Sequence, residues 1–412
     1  MKLTSQHKKK HIYFHLDKEQ YEKLIHQYGN KKVIHQIIQI LSTYEFPYAD
    51  YYLSQKDIYH KYQLLKDFHG VWSHQPYEIK KQEQTLNPLP ILFQNKYMLY
   101  IPNNEDYMNI GILTNAFTER SRMKCFRQNK NMKTYSFYDG WKKKDMIKDC
   151  VHYLIHHHKN INAYELRESI YMITRNPKYK YTECAHENIC FLKMVFQELQ
   201  KIIHPLPFTV LDACAGWGDR LLVCMSLNVS KYIGIDPNSE SYIGFQKMIK
   251  MFRKEKTCKM LLDGFPEVTF PNSNELFSIC FLSPPSFDSE MYSSNEKQSI
   301  LLYKNNHEWM IHFLFQTIQI CWSKIHIGGV FVIQSILAPK INTYIQYFCK
   351  GSQFLGCLSI KTGKHRNKPL WVWKKNETNQ KIKINGKHIN QMKKIYSEPV
   401  IQYLQHEMIK NK

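Results

Sequence analysis

The stretch Val210-Leu211-Asp212-Ala213-Cys214-Ala215-Gly216-Trp217-Gly218-Asp219-Arg220 decides how the rest of the chain is read. An apolar run ends on an acid, as a strand would at the edge of a sheet. Ala215, Gly216 and Gly218 then leave the backbone bare enough for a ligand to approach, and a helix opening near Asp219 presents free amide donors. A Gly-x-Gly turn by itself occurs in many α/β folds, so the residues downstream of it have to carry the reading. Asp236 ends a second run, Ile233-Gly234-Ile235-Asp236-Pro237, where a carboxylate commonly holds both hydroxyls of a nucleoside ribose. Asp263 ends a third, Leu261-Leu262-Asp263-Gly264, placed for an adenine amino group. The alternative is that the three acids cap helices or turns.

Further along, Phe281-Leu282-Ser283-Pro284-Pro285-Ser286-Phe287 reads as a strand ending in a rigid corner. The two prolines fix the backbone and remove its donors, which lets the Pro284 carbonyl and the Ser283 hydroxyl act as acceptors aimed at one point. An exocyclic amine needs such acceptors, because its lone pair is delocalised into the ring until its protons are drawn away. The alternative is a simple proline turn. Short apolar runs at 209–212, 232–236, 259–263, 276–282, 330–336 and 370–373 alternate with helical stretches after the break at His204-Pro205-Leu206-Pro207. That alternation predicts an α/β, doubly wound sheet with short right-handed crossovers and its site at the carboxyl ends of the strands. Gly328-Gly329 is expected to close a long helix from His307 whose Trp309, Phe313 and Ile320 face the core.

Asp-x-x-x-Gly-x-Gly, an acid at the second strand and a polar-Pro-Pro corner at the fourth together resemble a class I S-adenosylmethionine-dependent methyltransferase. Within that class the corner is similar to that of the nucleic-acid amino-methyltransferases, where Asp, Asn or Ser precedes Pro-Pro and Tyr or Phe. The strings 215–222 and 283–292, with Pro369-Leu370-Trp371-Val372-Trp373-Lys374 and Phe117-Thr118-Glu119-Arg120-Ser121-Arg122, resemble methyltransferase-like proteins of phages and large DNA viruses. The resemblance covers about Phe117 to Lys375. It implies a Rossmann-like, seven-stranded, mostly parallel sheet. It also implies S-adenosyl-L-methionine held by Asp212, Ala215, Gly216 and Gly218 at its methionine portion, by Asp236 at the ribose and by Asp263 or its neighbours at the adenine. Ser283, Pro284, Pro285 and Phe287 would form the chemistry site. Ser286 stands where the pattern places an aromatic ring that stacks a flipped base, and Phe287 follows it immediately.

The 57 Lys and Arg against 35 Asp and Glu give a formal charge of +22, which favours a polyanion such as nucleic acid as partner; a Lys-rich codon bias is the alternative source of that charge. Between Arg120 and Lys144 nine basic residues face one acid, Asp139, and are interleaved with Phe126, Tyr135, Phe137, Tyr138 and Trp141. Arg120, Arg122, Lys124, Arg127, Lys142 and Lys143 are therefore candidates for phosphate contact, with rings to stack bases. The alternative is a solvated basic surface whose rings are core. Eleven scattered cysteines lack a disulfide framework, which fits a reducing, intracellular setting. No run of about 18 apolar residues suggests a membrane span, and the start carries no signal-peptide run.

Toward the N-terminus, Asp17 with Gln20 and Ser54 with Asp57 form capping boxes for two helices ending near Gly29 and Gly70. His152, His156, His157 and His158 read as a solvated helix end, and Cys184, His186 and Cys190 as structural groups, since neither set completes a metal site. The expected organisation is a helical region over 1–85, a basic, aromatic and helical segment over 86–204, the methyltransferase domain over 205–375 and a basic tail over 376–412. Two alternatives to an enzyme methylating a DNA base amine stay open: an RNA methyltransferase, and a degenerate methyltransferase fold that binds nucleic acid or assembles with partners.

Overall fold

A computed structural model describes residues 13–73, 96–100, 110, 113–129, 132–176, 179–184, 186–335, 337–362, 366–367, 369–377 and 385–410. The expected boundary near residue 85 lies outside them. The chain divides into two units that interleave along the sequence. The first takes Met1–Tyr62, Ile112–Ala185 and Asp288–Ser294; the second takes Gln63–Gly111, His186–Phe287 and Asn295–Lys412.

The first unit is mainly helical. Its core gathers Tyr21, Val33, Ile37 and Leu41 from the helices Lys18–Tyr28 and Asn30–Leu41 with Ile147, Val151 and Leu154 from Lys144–His156 and Leu166 and Ile170 from Ala163–Thr174. Both capping boxes form: the Asp17 amide donates to Gln20 Oε1 at 3.1 Å, and Ser54 and Asp57 bond reciprocally. Gly29 ends the first helix with φ +83°, a conformation open to glycine. Phe137 and Trp141 belong to this core, so they are closed to bases.

The second unit is built on a ten-stranded sheet. Its strands are β1 Val71–Ser73, β2 Lys96–Tyr100, β3 Thr209–Asp212, β4 Lys231–Ile235, β5 Cys258–Leu261, β6 Phe277–Leu282, β7 Ile325–Gln334, β8 Ser352–Thr362, β9 Arg366–Asn367 and β10 Leu370–Lys375. They lie in the order β1-β2-β8-β10-β7-β6-β3-β4-β5, with β9 paired to β8. β5, β4, β3, β6 and β7 pair in parallel, whereas β10 is antiparallel to both neighbours, β7 and β8. From β3 the chain order runs outward through β4 and β5 on one side and through β6 and β7 on the other, so the direction changes at the junction of β3 and β6.

Three features depart from the sequence expectation. Gly328-Gly329 lies inside β7 rather than at a helix end; the preceding helix Gln316–Ser323 closes earlier. A Cβ on Gly329 would meet the Ser278 carbonyl at 2.7 Å, so the pair allows close backbone approach at an irregular stretch of the β6–β7 register. β8 has no counterpart among the expected strands, because Gly356 at φ +118° breaks its alternation with a register shift against β10. The tail, expected to stand apart from the domain over 205–375, packs into it: Met392, Ile395, Val400, Ile401 and Leu404 are buried in the same core as β3, β6 and β7. Among the described residues no helix is long and apolar enough to cross a membrane.

Lys193, on helix α1 Ile189–Ile203, is buried, and its ammonium donates to the carbonyls of Leu65, Lys66 and Phe68 at 2.6, 2.6 and 2.8 Å. These carbonyls lie at the end of the helix Gln55–Asp67 and just past it, and that of Leu65 also accepts from the Phe68 amide at 3.3 Å. Lys193→Met removes three hydrogen bonds made by a buried ammonium and is expected to lower the unfolding free energy by about 2–4 kcal/mol. Urea denaturation would show this as a lower midpoint at unchanged slope; a midpoint equal to wild type would contradict the role.

Candidate active site

The turn after β3 is held from several sides. The Ala213 amide donates to the Phe281 carbonyl of β6 at 3.0 Å and the Ala215 amide to the Ile235 carbonyl of β4 at 2.9 Å. Gly216 and Gly218 take φ +61° and +88°, and helix α2, Asp219–Ser226, begins directly after them. The two glycines differ in surroundings. A Cβ on Gly218 would press on the Phe245 ring at 3.0 Å, while one on Gly216 would meet nothing within 4 Å, so Gly216 borders open space.

Asp212 is fully buried at the carboxyl end of β3. Its Oδ2 accepts from Arg220 Nε at 2.8 Å and from the Tyr232 hydroxyl at 2.7 Å, while its Oδ1 is buried with no hydrogen-bond partner among the described residues. Arg220 also pairs through Nη1 with Glu187 Oε1 at 2.8 Å, donates to the Cys214 carbonyl, and lies over the Phe281 ring at 4.9 Å. Glu187 Oε2 is a second buried oxygen without a partner among the described residues, and burial pushes the Glu187 carboxyl up despite Arg220. One guanidinium thus serves two buried acids, each with an oxygen to spare.

Asp236 is partly buried and clasps the turn. Its Oδ2 accepts from the Gly216 amide and its Oδ1 from the Asn238 amide, both at 2.9 Å. Burial raises its carboxyl to about 7, against the pull of those two amides. Each oxygen keeps a lone pair for a further donor. Asp263 behaves otherwise: burial would raise its carboxyl, but Lys297 Nζ at 2.6 Å from Oδ1, with the Gly264 amide, brings it below the ordinary value.

The corner Ser283-Pro284-Pro285 comes directly after β6, whose Phe281 is registered against Asp212 of β3. The Ser283 hydroxyl donates to Gln334 Oε1 at 3.2 Å. Ser286 is exposed, while the Phe287 ring packs against the core at 6.4 Å from buried Trp309, which starts a π-helical turn, Trp309–Phe315. Asp212, Ala215, Gly216, Gly218, Asp236 and the corner therefore gather at neighbouring strand ends of the second unit. Glu187 and Gln334 escape sequence reasoning; neither sits in a motif, and only the ends of α1 and β7 bring them in.

In the first unit, the basic candidates separate by burial. Arg122 is 1% exposed and is spent on Glu183 and Asn115, so it leaves the set of phosphate contacts. Arg120 pairs with Glu45 at 3.0 Å and Asp50 at 2.9 Å and lies over the Tyr48 ring. Arg127 is exposed but pairs with Glu290 at 3.2 Å. Lys124, Lys142 and Lys143 are exposed; the first two lie over the Tyr138 ring at 5.6 and 4.2 Å, and Lys143 lies 4.2 Å from the Tyr135 ring centre. The histidines at 152 and 156–158 are exposed at a helix end, while Cys184 and Cys190 are buried.

No family model and no curated protein matches the chain. Among solved structures it is similar to an rRNA methylase from Streptococcus thermophilus, at 12% identity over 45% of this chain and 95% of that one, with a TM-score of 0.32. It is similar to the M. jannaschii tRNA m1G37 methyltransferase at 18% identity, over 46% of this chain and 47% of that enzyme, with a TM-score of 0.32. A SAM-dependent methyltransferase from Agrobacterium tumefaciens gives 11% identity over 48% and 65%, with a TM-score of 0.35. Superpositions this loose carry no assignment, and the fold stands on its own strand order.

Arg220→Met leaves two buried carboxylates without their cation and is expected to cost about 3–5 kcal/mol of stability. Adding Asp212→Asn should recover part of that loss, because one of the stranded charges is gone. Unfolding curves of the single and double variants test this; additive losses would remove the coupling.

Proposed function

We propose that this chain is a class I, doubly wound S-adenosylmethionine-dependent methyltransferase acting on an exocyclic amino group of a nucleic-acid base, with DNA preferred and RNA the alternative polymer. One observation carries the reading: an acid-lined glycine turn after β3 and a Ser-Pro-Pro corner after β6 occupy adjacent strand ends. The acids argue for the type of ligand. A dinucleotide's pyrophosphate beside Asp212, Asp236 and Glu187 would be repelled, whereas a ligand bearing ammonium and sulfonium charge supplies what the orphaned Asp212 Oδ1 lacks. S-adenosylmethionine bound there would supply an electrophilic methyl group, with Asp212, Ala215, Gly216 and Gly218 at its methionine portion, Asp236 at its ribose and Asp263 at its adenine.

The chain's own part is positional. The Ser283 hydroxyl oxygen and the Pro284 carbonyl accept the protons of the target amine, which draws its nitrogen toward tetrahedral geometry and frees the lone pair. Pro285 holds the corner rigid and donates nothing. On the first unit, Lys124, Lys142 and Lys143 beside Tyr135 and Tyr138 suit a phosphate backbone with exposed bases. Contact with nucleic acid makes an intracellular location part of this reading.

A second reading has its own support. Phe287 rests on Trp309 and Ser286 is exposed, so the stacking ring of an active corner is not displayed. In that case the fold binds nucleic acid without turnover. Incubation with labelled methyl donor and with DNA or RNA, followed by nucleoside mass spectrometry, separates the readings and the polymers. The enzyme reading expects methyl incorporation that falls at least about 10²-fold in Ser283→Ala. Salt-sensitive binding with no incorporation in any polymer would leave the second.

The raised Asp236 carboxyl adds a pH dependence. The folded state holds this proton more tightly than the unfolded chain, so the stabilising contribution is present below the ordinary carboxylate range and is lost as pH rises through about 7. Ribose hydroxyls donate best to the ionised form. S-adenosylhomocysteine should therefore bind roughly tenfold more tightly at pH 8 than at pH 6, and Asp236→Asn should flatten that slope. Calorimetric titration at both pH values decides it; an equal slope in the variant would refute the role of Asp236.

A further inference from the structure

Ser283 and Gln334 leave the sheet side by side. β6 and β7 are parallel neighbours with Leu282 registered against Ile333, so Ser283 and Gln334 meet at the carboxyl edge. There the Ser283 hydroxyl donates to Gln334 Oε1 at 3.2 Å, and both residues are only partly buried. Among the described residues the Gln334 amide nitrogen has no hydrogen-bond partner. The adjacent polar groups are engaged elsewhere: Ser335 Oγ accepts from the Leu337 amide, and the Ser335 carbonyl accepts from Trp371 Nε1, each at 3.0 Å.

This arrangement sets two unlike groups next to each other. With its proton given to Gln334, the Ser283 oxygen offers acceptor lone pairs, and with its oxygen engaged, the Gln334 carboxamide offers donor N–H groups. We propose that the pair reads the edge of the target base, Ser283 accepting from the exocyclic amine and Gln334 donating to an unprotonated ring nitrogen beside it. The inference rests on the amino-methyltransferase reading above and narrows its substrate. Adenine sets N1 beside its amine and cytosine sets N3 beside its amine, and both ring nitrogens are acceptors. On that Watson–Crick edge guanine sets an N1–H beside its amine, so a donor would face a donor, and its acceptor N3 lies on the other side of the amine, toward the sugar. The substrate class is thus adenine or cytosine, and Gln334 is its specificity residue. Gln334 also positions Ser283, since accepting the hydroxyl proton turns the oxygen's lone pairs to the amine.

Single-stranded oligothymidylates carrying one adenine, one cytosine or one guanine, given with labelled S-adenosylmethionine, test the proposal. Transfer is expected to the adenine or the cytosine strand, with kcat/KM on guanine lower by at least about 10²-fold. Replacing the preferred base by 1-deazaadenine or 3-deazacytosine keeps the amine but removes the ring acceptor, and should cost the native chain roughly 10–100-fold. In Gln334→Met, which lacks the amide, that penalty should vanish, while S-adenosylhomocysteine affinity stays at the native value and reports an intact fold. Equal transfer to guanine, or an undiminished deaza penalty in Gln334→Met, overturns the inference and leaves the methyltransferase reading standing. Absence of both cofactor binding and transfer in the native chain overturns the two together.

Discussion

The candidate site is organised around one buried cation. Arg220 reaches Asp212 at the end of β3, Glu187 ahead of α1, the Cys214 carbonyl within the turn and the Phe281 ring on β6. Taking a guanidinium out of water is costly unless its charge is matched, and here it is more than matched. The excess is negative and sits beside a glycine turn whose amides would otherwise attract anions. A phosphate-binding turn keeps its surroundings neutral or basic. This one is lined with acid, and the difference bears on what can bind more than the glycine spacing does.

Strand register turns this local anchor into a two-part site. Because β6 lies between β3 and β7, the end of β6 is fixed against Asp212 on one side and against Gln334 on the other. A one-residue slip in β6 would reverse every side chain along it. All six of its residues are buried, and buried Ser278 exchanges hydrogen bonds with Thr209 of β3 at 2.9 to 3.0 Å, which a slip would break, so this contact holds the register and, with it, the place of Ser283.

The same constraint accounts for how much of the molecule is legible in one dimension. The runs at Thr209–Asp212 and Phe277–Leu282 are short, apolar and bounded by turn residues, so both the strands and the turn and corner that follow them can be read from the sequence. β8 cannot, since Gly356 breaks the alternation that marks a strand. Basic residues are ambiguous in another way: Arg122 and Lys124 look alike in a sequence, yet one fills a buried ion network and the other is exposed. Glu187 and Gln334 carry no local signal, because their meaning comes from partners distant in the chain. The interleaving of the two units is equally invisible to composition, which changes along the chain without tracking the contacts that divide it.

The position of Phe287 sets a quantitative condition on turnover. Its contact with Trp309 is tilted and wide, the kind of aromatic pair worth about 0.5–1.5 kcal/mol beyond burial. A base stacked on an aromatic ring contributes about 1–3 kcal/mol. The two ranges overlap, so moving the ring from Trp309 to a base is close to neutral in ring contact alone, and on the reading proposed above it requires the backbone after Pro285 to shift by one residue. That backbone is constrained on both sides: Pro284 and Pro285 fix φ at their own positions, and the Ser289 carbonyl accepts from the Gln128 amide at 2.9 Å, which leaves exposed Ser286 as the freer position between them. On the enzyme reading, the aromatic missing from the fourth place of the corner would have to come from Phe287 at the fifth, at the cost of its contact with Trp309.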